Sequence, residues 1–460
     1  MTNVLLLVLD TARSDALEPF GAPAGASPAV AQLAARGVVG AQARSTACWT
    51  LPSHAAIFTG LLPRAAGLAR APARTPHSCR DVMEGHRDRL LPEVFRRTGY
   101  ATAGVSANLW VGETSGFATG FERFRSVDSA RQSGLHDASV SARAHWALEA
   151  ARARVDDGAG AARSILRGWS AEMRPGRPFF WFVNLNECHS PYLPPRPYSD
   201  VGLFGRLRAA EEARRYLTLM SIWRACAGGL AVPDESLERM RHLYARSVRL
   251  MDDWLADVLE LLDARGVLDD TLVVVTSDHG ENFGENGLMA HAFSLDERLT
   301  HVPLVAAGPG ASELTGLWSL ADLPRALARA AGIAHPWGPD LCSGVAVAEF
   351  DPPTSPDDER VLRSVEEWGV GEAGLRAMTT PLTAATDGAF KLLRRGAAEQ
   401  RFDLAADPLE EHPLAASDTR AADLRAALDP SPVATVEPQS EPSAADLAEI
   451  EERMKLLGYM

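Results

Sequence analysis

Apolar residues along this chain follow two rhythms. Short unbroken runs at Val4–Leu9, Ala101–Ser106, Pro178–Leu185 (PFFWFVNL), Leu272–Val275 and His301–Ala307 are too brief for helices and predict strands buried on both faces. Helical stretches lie between them. Pro28–Arg36 is ended by Gly37, Leu90–Arg97 by Gly99, and the stretch 137–173 is rich in Ala and Arg. A long helix is predicted over 236–265, where Tyr244, Val248, Met251, Leu255, Val258 and Leu262 recur at steps of four and three before Gly266. Such alternation predicts an α/β fold: a large, mostly parallel central sheet covered by helices on both faces.

The pattern changes near residue 345. Two stretches rich in Pro and acidic residues, Asp351–Glu359 and Asp429–Ser443, read as loops or partly disordered linkers. Between them Leu375–Thr386 and Phe390–Leu393 read as strands of a smaller C-terminal α+β subdomain. The expected division is a catalytic domain over 1–345, carrying a helical insertion at 199–235, and a subdomain with tail over 346–460.

Composition narrows the classes of partner. The chain has 460 residues, 46% of them hydrophobic, enough for a sizeable core. Its net charge is −14 with no basic stripe, which argues against nucleic acid or an anionic membrane as partner. Five scattered cysteines (48, 79, 188, 226 and 342) include no CxxC pair, so neither a disulfide framework nor a structural zinc site is indicated. The opening strand begins almost at once, without the basic leader and small-residue cleavage site of a signal peptide, and no apolar run reaches about 18 residues. The expectation is a cytoplasmic protein; the oligomeric state is not written in the sequence.

Three polar clusters follow predicted strands or open a helix, where open α/β sheets bind their ligands. Asp10 ends the first strand. Trp49-Thr50-Leu51-Pro52-Ser53-His54 opens a helix, where a hydroxyl meets exposed backbone N–H groups and the positive end of the helix dipole. Ser277-Asp278-His279-Gly280-Glu281-Asn282 sets a carboxylate beside an imidazole, a pairing that suits one divalent ion. Taken singly, each has a plainer role: Asp10 or Thr50 as a helix N-cap, and Asp-His-Gly as a turn. All three together point to a site.

The blocks NVLLLVLDTARSD, STACWTLPSHAAIFTGLLP, NECHSPYLPP and DDTLVVVTSDHGENFGENGLMAHAFSLDERLTHVPLV resemble the successive motifs of the sulfatase family, in the alkaline phosphatase superfamily. GFATGFERF (116–124), FDLAADPLEEHPLA (402–415) and the terminal LLGYM (456–460) extend the resemblance over nearly the whole chain. The resemblance implies that Asp10, Asp278 and His279 ligate one divalent ion (Mn, Mg, Zn or Ca), with Thr50 as nucleophile and further ligand. It also implies that His189 contacts the transferred group and that His291 stands near the family's substrate-binding lysine or histidine. Trp49, His54 and Trp223 are candidate substrate contacts, Trp223 on a lid formed by 199–235.

Two departures shape the expected chemistry. The family signature Cys-x-Pro-Ser-Arg, whose cysteine becomes formylglycine, reads here Thr50-Leu51-Pro52-Ser53-His54, and the paired aspartates after the first strand read Asp10-Thr11. A formylglycine hydrate can release its ester by collapsing to the aldehyde. A threonine ester must instead be cleaved at phosphorus or sulfur, which favours phosphoryl chemistry. The expected activity is hydrolysis of a small anionic phosphodiester or phosphonate monoester. Sulfate ester hydrolysis, group transfer to an acceptor alcohol and a catalytically silent binding protein are the alternatives. Mass spectrometry of the purified protein is expected to find all five cysteines without formylglycine; an aldehyde at Cys48 would overturn Thr50 as the nucleophile.

Overall fold

The computed structural model of the chain describes residues 2–72, 75–127, 148, 152, 156–338, 344–415 and 422–428. β1 (Asn3–Leu9) runs through the middle of a seven-stranded sheet, and all of its residues are buried. Leu5, Leu7 and Leu9 enter the core on one face, while Val4, Leu6 and Val8 enter a second core on the other. Unbroken apolar runs are what a strand covered on both sides requires.

The other strands of this sheet are β2 (Val38–Val39), β3 (Ala101–Ser106), β4 (Arg123–Ser126), β5 (Phe179–Leu185), β6 (Thr271–Thr276) and β9 (Leu304–Ala307). Their order is β2-β9-β6-β1-β5-β3-β4, and only the pairings of β9 with β6 and β2 are antiparallel. β1, β5 and β6 therefore end at the same edge, with Val8 paired to Asn184 and Thr276.

Helices Pro28–Ala35, Ala159–Ala171 and Asp234–Ala264 cover the first face through Val30, Leu166, Met251 and their neighbours. Helices Thr50–Thr59, Leu91–Arg97 and Leu323–Ala330 cover the second through Phe58, Phe95 and Leu327. Each such side chain, fully buried, contributes about 1.5–3 kcal/mol over leaving it in water. The six periodic residues of the long helix, Tyr244 to Leu262, are all buried, as their spacing predicts.

β10 (Ala346–Phe350), β11 (Leu382–Thr386), β12 (Phe390–Arg395) and β13 (Ala398–Asp403) form a second, antiparallel sheet. The sequence expectation of a strand over Leu375–Thr386 needs correction. Leu375 to Thr379 complete a helix, Gly371–Thr379, and the strand starts only after Pro381. The strand expected over His301–Ala307 likewise shortens, because His301 ends the helix Glu297–Thr300 and Pro303 supplies no N–H. Residues 137–147, 149–151, 153–155 and 429–460, which include expected helix, linker and the LLGYM tail, lie outside the described residues. Among the described residues no helix is long and apolar enough to cross a membrane. Cys48, Cys79, Cys188 and Cys226 are unpaired.

The two sheets meet in a third core, where Phe350, Leu382, Leu393 and Phe402 pack on Cys48, Phe293, Leu295 and Leu299. A buried cation fastens the junction. Lys391, its side chain 1% exposed, donates to the Leu295 carbonyl and pairs with Glu297 at 3.2 Å and Glu410 at 2.8 Å. Lys391→Met is expected to strand Glu410 in the interior, while Glu297 keeps Arg44 at 2.8 Å, and to lower stability by roughly 3–5 kcal/mol. Lys391→Met with Glu410→Gln should recover part of that loss in a denaturant titration. An unchanged midpoint in the single variant would mean that the pair does not hold the junction.

Candidate active site

Two strand ends and one helix start converge. Asp10 follows β1, and its N–H still donates to the Leu185 carbonyl at 2.9 Å, so the sheet ladder itself fixes its position. Asp278 and His279 follow β6, the parallel neighbour of β1. One ligand atom from each of Asp10, Asp278 and His279 lies within 4.8 Å of the others, and all three residues are buried. Gly280 lets the chain leave this point: a Cβ there would stand 1.9 Å from the Arg298 carbonyl oxygen. Thr11, where the family pattern has a second aspartate, is held in the left-handed region at φ 59. That conformation, strained by roughly 1–3 kcal/mol, aims its N–H at Asp278 Oδ1, 3.2 Å away. Its carbonyl is fixed in turn by the Tyr244 hydroxyl at 2.9 Å.

Thr50 is the first residue of its helix rather than the cap; that position falls to Trp49, in extended conformation. The Thr50 hydroxyl is therefore not spent on capping. It lies 3.4 Å from His279 Nε2. His279 Nδ1 donates to the Gly280 carbonyl at 2.9 Å, which leaves the Nε2 lone pair facing the cluster. Burial, aided by His291, lowers the His279 pKa to about 3, so the ring is neutral, as a metal ligand must be. Burial and the charge of Asp278 push Asp10 up. Asp10 Oδ1 and Asp278 Oδ2 are both buried without a hydrogen-bond partner. Two carboxylates, a neutral imidazole nitrogen and a hydroxyl aimed at one point, with two carboxylate oxygens unsatisfied, fit a divalent cation.

His189 and His291 stand over this cluster. Their rings are 4.9 Å apart, and the His291 ring is 4.5 Å from that of His279. His291 Nδ1 is 3.0 Å from Glu281 Oε1, whose other oxygen accepts from the Tyr192 hydroxyl at 2.7 Å. Burial acts to lower the His291 pKa, but the Glu281 carboxylate outweighs it and the net direction is upward.

His54 differs from its expected role in substrate binding. It is fully buried between Phe117 and Phe182, with Nδ1 3.0 Å from the Thr50 carbonyl oxygen and 3.4 Å from Asp278 Oδ2. It sits i+4 from Thr50 on the inward face of the helix, so it braces the first turn and Asp278 from behind. Burial opposes its protonation, yet the Asp278 carboxylate raises its pKa overall. Cys48, two residues before Thr50, points into the third core and is fully buried.

Asn108 and Asn186 were not anticipated. The Asn108 amide accepts from the Trp110 N–H at 2.9 Å through Oδ1, which turns Nδ2 towards Asp10 Oδ2 at 2.8 Å, Asn186 Oδ1 at 3.3 Å and Thr50 Oγ1 at 3.4 Å. Both asparagines follow strand ends, β3 and β5, the same signal that picked out Asp10.

Trp49 meets Trp110 edge to face at 5.5 Å, and Trp223 meets Phe293 likewise at 5.3 Å. Trp49 and Trp223 both border the third core. The stretch 199–235 contains helices Leu203–Tyr216 and Leu219–Cys226. Cys226 Sγ donates to the Met289 carbonyl at 3.5 Å, in β8 (Met289–Ala290), which pairs with β7 (Asn282–Phe283) and lies next to His291. The second helix thus borders the strand that delivers His291.

A sulfatase family model matches residues 2–333. The choline-sulfatase of Rhizobium meliloti is 30% identical over 248 residues, 51% of this chain and 46% of that protein. The multifunctional alkaline phosphatase superfamily protein PehA of Trinickia caryophylli is 29% identical over 160 residues, 31% of each. This chain thus matches less than half the length of these curated relatives. The crystal structure of the phosphonate monoester hydrolase of Agrobacterium radiobacter has the same fold, with a TM-score of 0.62, 19% identity and coverage of 93% of this chain and 94% of that one. With the family match spanning well over half its length, the chain belongs to the sulfatase family, within the alkaline phosphatase superfamily.

Proposed function

We propose that this protein is a metal-dependent hydrolase that cleaves a singly charged phosphoester, a phosphodiester or phosphonate monoester, through a covalent ester on Thr50. The observation that carries this reading is the Thr50 hydroxyl, not spent on helix capping, 3.4 Å from both His279 Nε2 and Asn108 Nδ2 in the cluster that holds two unsatisfied carboxylate oxygens. Asp10, Asp278, His279 and Thr50 are the residues that would hold the ion. When bound, it supplies Lewis-acid polarisation of the substrate and lowers the pKa of the hydroxyl it touches.

The chain's own groups perform the remaining steps. The Asn108 amide orients Thr50, and the helix N-terminus behind it favours the developing alkoxide. Thr50 Oγ1 attacks phosphorus in line, the bond to the leaving oxygen breaks, and His291 or His189 donates a proton to that oxygen. The Thr50 proton leaves to solvent in this step. Water then attacks phosphorus, its oxygen staying on phosphorus with one hydrogen while its other proton passes to Thr50 Oγ1 as the Thr50 ester bond breaks. The histidine regains a proton from solvent. The side chains bonded around the cluster are asparagine, histidine and threonine, so the site balances a single substrate charge better than the two of a phosphomonoester. Sulfate ester hydrolysis is the second reading, favoured by the similarity to a choline-sulfatase.

Esters of one chromogenic phenol, as phosphodiester, phosphonate monoester, sulfate and phosphomonoester, test the order of preference. The diester and phosphonate are expected to turn over fastest, and a dominant sulfate activity would replace the first reading with the second. Thr50→Ala should lower turnover by about three orders of magnitude or more, with Thr50→Ser retaining measurable activity. Wild-type turnover in Thr50→Ala would remove Thr50 from the mechanism.

We further propose that Trp223 and Trp49 form two walls of the leaving-group site, with helix Leu219–Cys226 as a lid. Its packing beside β8, which leads into His291, and the shared border of both tryptophans on the third core support this reading. Trp223→Ala should raise KM severalfold for an ester with a bulky apolar leaving group and leave a methyl ester unaffected. Equal kinetics on both would return the helix to scaffold.

A further inference from the structure

The two asparagines that follow β3 and β5 form a chain of amides with one polarity. The Trp110 backbone N–H can only donate, so the atom it meets at 2.9 Å is Asn108 Oδ1. Asn108 Nδ2 is then shared by Asp10 Oδ2 at 2.8 Å, Asn186 Oδ1 at 3.3 Å and Thr50 Oγ1 at 3.4 Å. An amide nitrogen cannot accept, so Asn186 turns its oxygen to Asn108 and its nitrogen away. One backbone N–H thus sets the direction of both side chains.

Asn186 is only 1% exposed, yet its Nδ2 has no hydrogen-bond partner among the described residues. Nor is that nitrogen sealed in the interior, as the unpaired Asp10 Oδ1 and Asp278 Oδ2 are. Buried amide donors are nearly always paired, and an open one at the ligand edge of a sheet is placed for a ligand. The backbone of the same residue ties it to the site. The Asn186 carbonyl accepts from the His189 N–H at 3.0 Å, closing the turn that carries His189 over the cluster. Asn186 therefore joins Thr50, through Asn108, to His189.

We propose that Asn186 is a further catalytic residue, whose Nδ2 donates a hydrogen bond to a non-bridging oxygen of the group transferred to Thr50. The inference rests on the phosphoryl-transfer reading given above and deepens it. No bond to Asn186 forms or breaks, and no proton leaves it. Its donor is held in place before the substrate arrives, so it stabilises negative charge as that charge gathers on the oxygen. Being neutral, it also offers less to a second substrate charge than an ammonium or guanidinium would.

The test compares full-length wild type, Asn186→Asp and Asn186→Ala on a chromogenic phosphodiester, with melting temperature as the check on folding. Asn186→Asp keeps the size of the side chain and an acceptor for Asn108, but sets a charged oxygen where the donor stood. Asn186→Ala removes the donor outright and serves if the aspartate variant does not fold. Each should lower kcat by about a hundredfold or more and change KM far less.

A residue that merely steadied Asn108 could also lower kcat, so the contact itself needs its own readout. The two diastereomers of the matching phosphorothioate diester put sulfur, a weaker acceptor, at one or the other non-bridging position. Asn186→Ala should shrink the sulfur penalty about tenfold for one diastereomer and leave the other unchanged.

Wild-type kcat in the folded Asn186→Asp protein would overturn the proposal. Sulfur penalties that stay the same for both diastereomers in Asn186→Ala would overturn it too. Thr50→Ala separates this outcome from the reading beneath it. If Thr50→Ala is inactive and the Asn186 variants are not, only the part assigned to Asn186 falls. If Thr50→Ala turns over like the wild type, the covalent reading falls instead. No turnover of the phosphodiester by the wild type would overturn both.

Discussion

Two carboxylates, Asp10 and Asp278, are buried side by side with no exposure to water. In a low-dielectric interior such a pair repels strongly, and each group also loses its hydration. Much of the surrounding structure can be understood as the means of holding them there. Parallel pairing of β1 with β6 brings their ends to one edge. The left-handed turn at Thr11 and the Asn108 amide each place an N–H donor against one carboxylate or the other, and the His54 ring lies 3.4 Å from Asp278 Oδ2. The rigidity of this support comes from the sheet, whose central strand is packed on both faces.

The parts of this arrangement that obey local rules were legible in the sequence. Unbroken apolar runs gave the buried strands, three-and-four spacing gave the long helix, and polar residues just after strands gave Asp10, Asp278 and His279. What failed was the assignment of roles that depend on a direction in space. His54 lies one helical turn from Thr50, so spacing puts both on the same side of the helix, but only the fold shows that Phe117 and Phe182 enclose the histidine. Asn108 and Asn186 carried the strand-end signal too, yet an amide is common in turns, and nothing local distinguishes one that ties an aspartate from one that bonds to solvent. In the C-terminal part Leu375–Thr386 misled because its apolar residues suit a helix end as well as a strand; Pro381 is where the two divide.

The start of the helix at Thr50 separates two neighbouring positions by the direction their side chains take. The residue at the helix start faces the cluster, while the cysteine two positions earlier is a core residue of the junction with the second sheet. A cysteine near the signature is therefore no guide to chemistry unless it stands at the position whose side chain faces the strand ends.

That junction has a further meaning for how this molecule can change. Phe293 belongs to the third core, touches Trp223 edge to face, and lies two residues from His291; Trp49 borders the same core from the side of Thr50. The side chains proposed to wall the leaving-group site are thus also ones that fasten one sheet to the other. Selection for a new leaving group would draw on the same reserve of packing that keeps the chain folded. Variants reshaped here would arrive together with losses in stability, and drift in specificity would be paced by compensating changes in β10–β13, far along the sequence from Trp49 and Trp223.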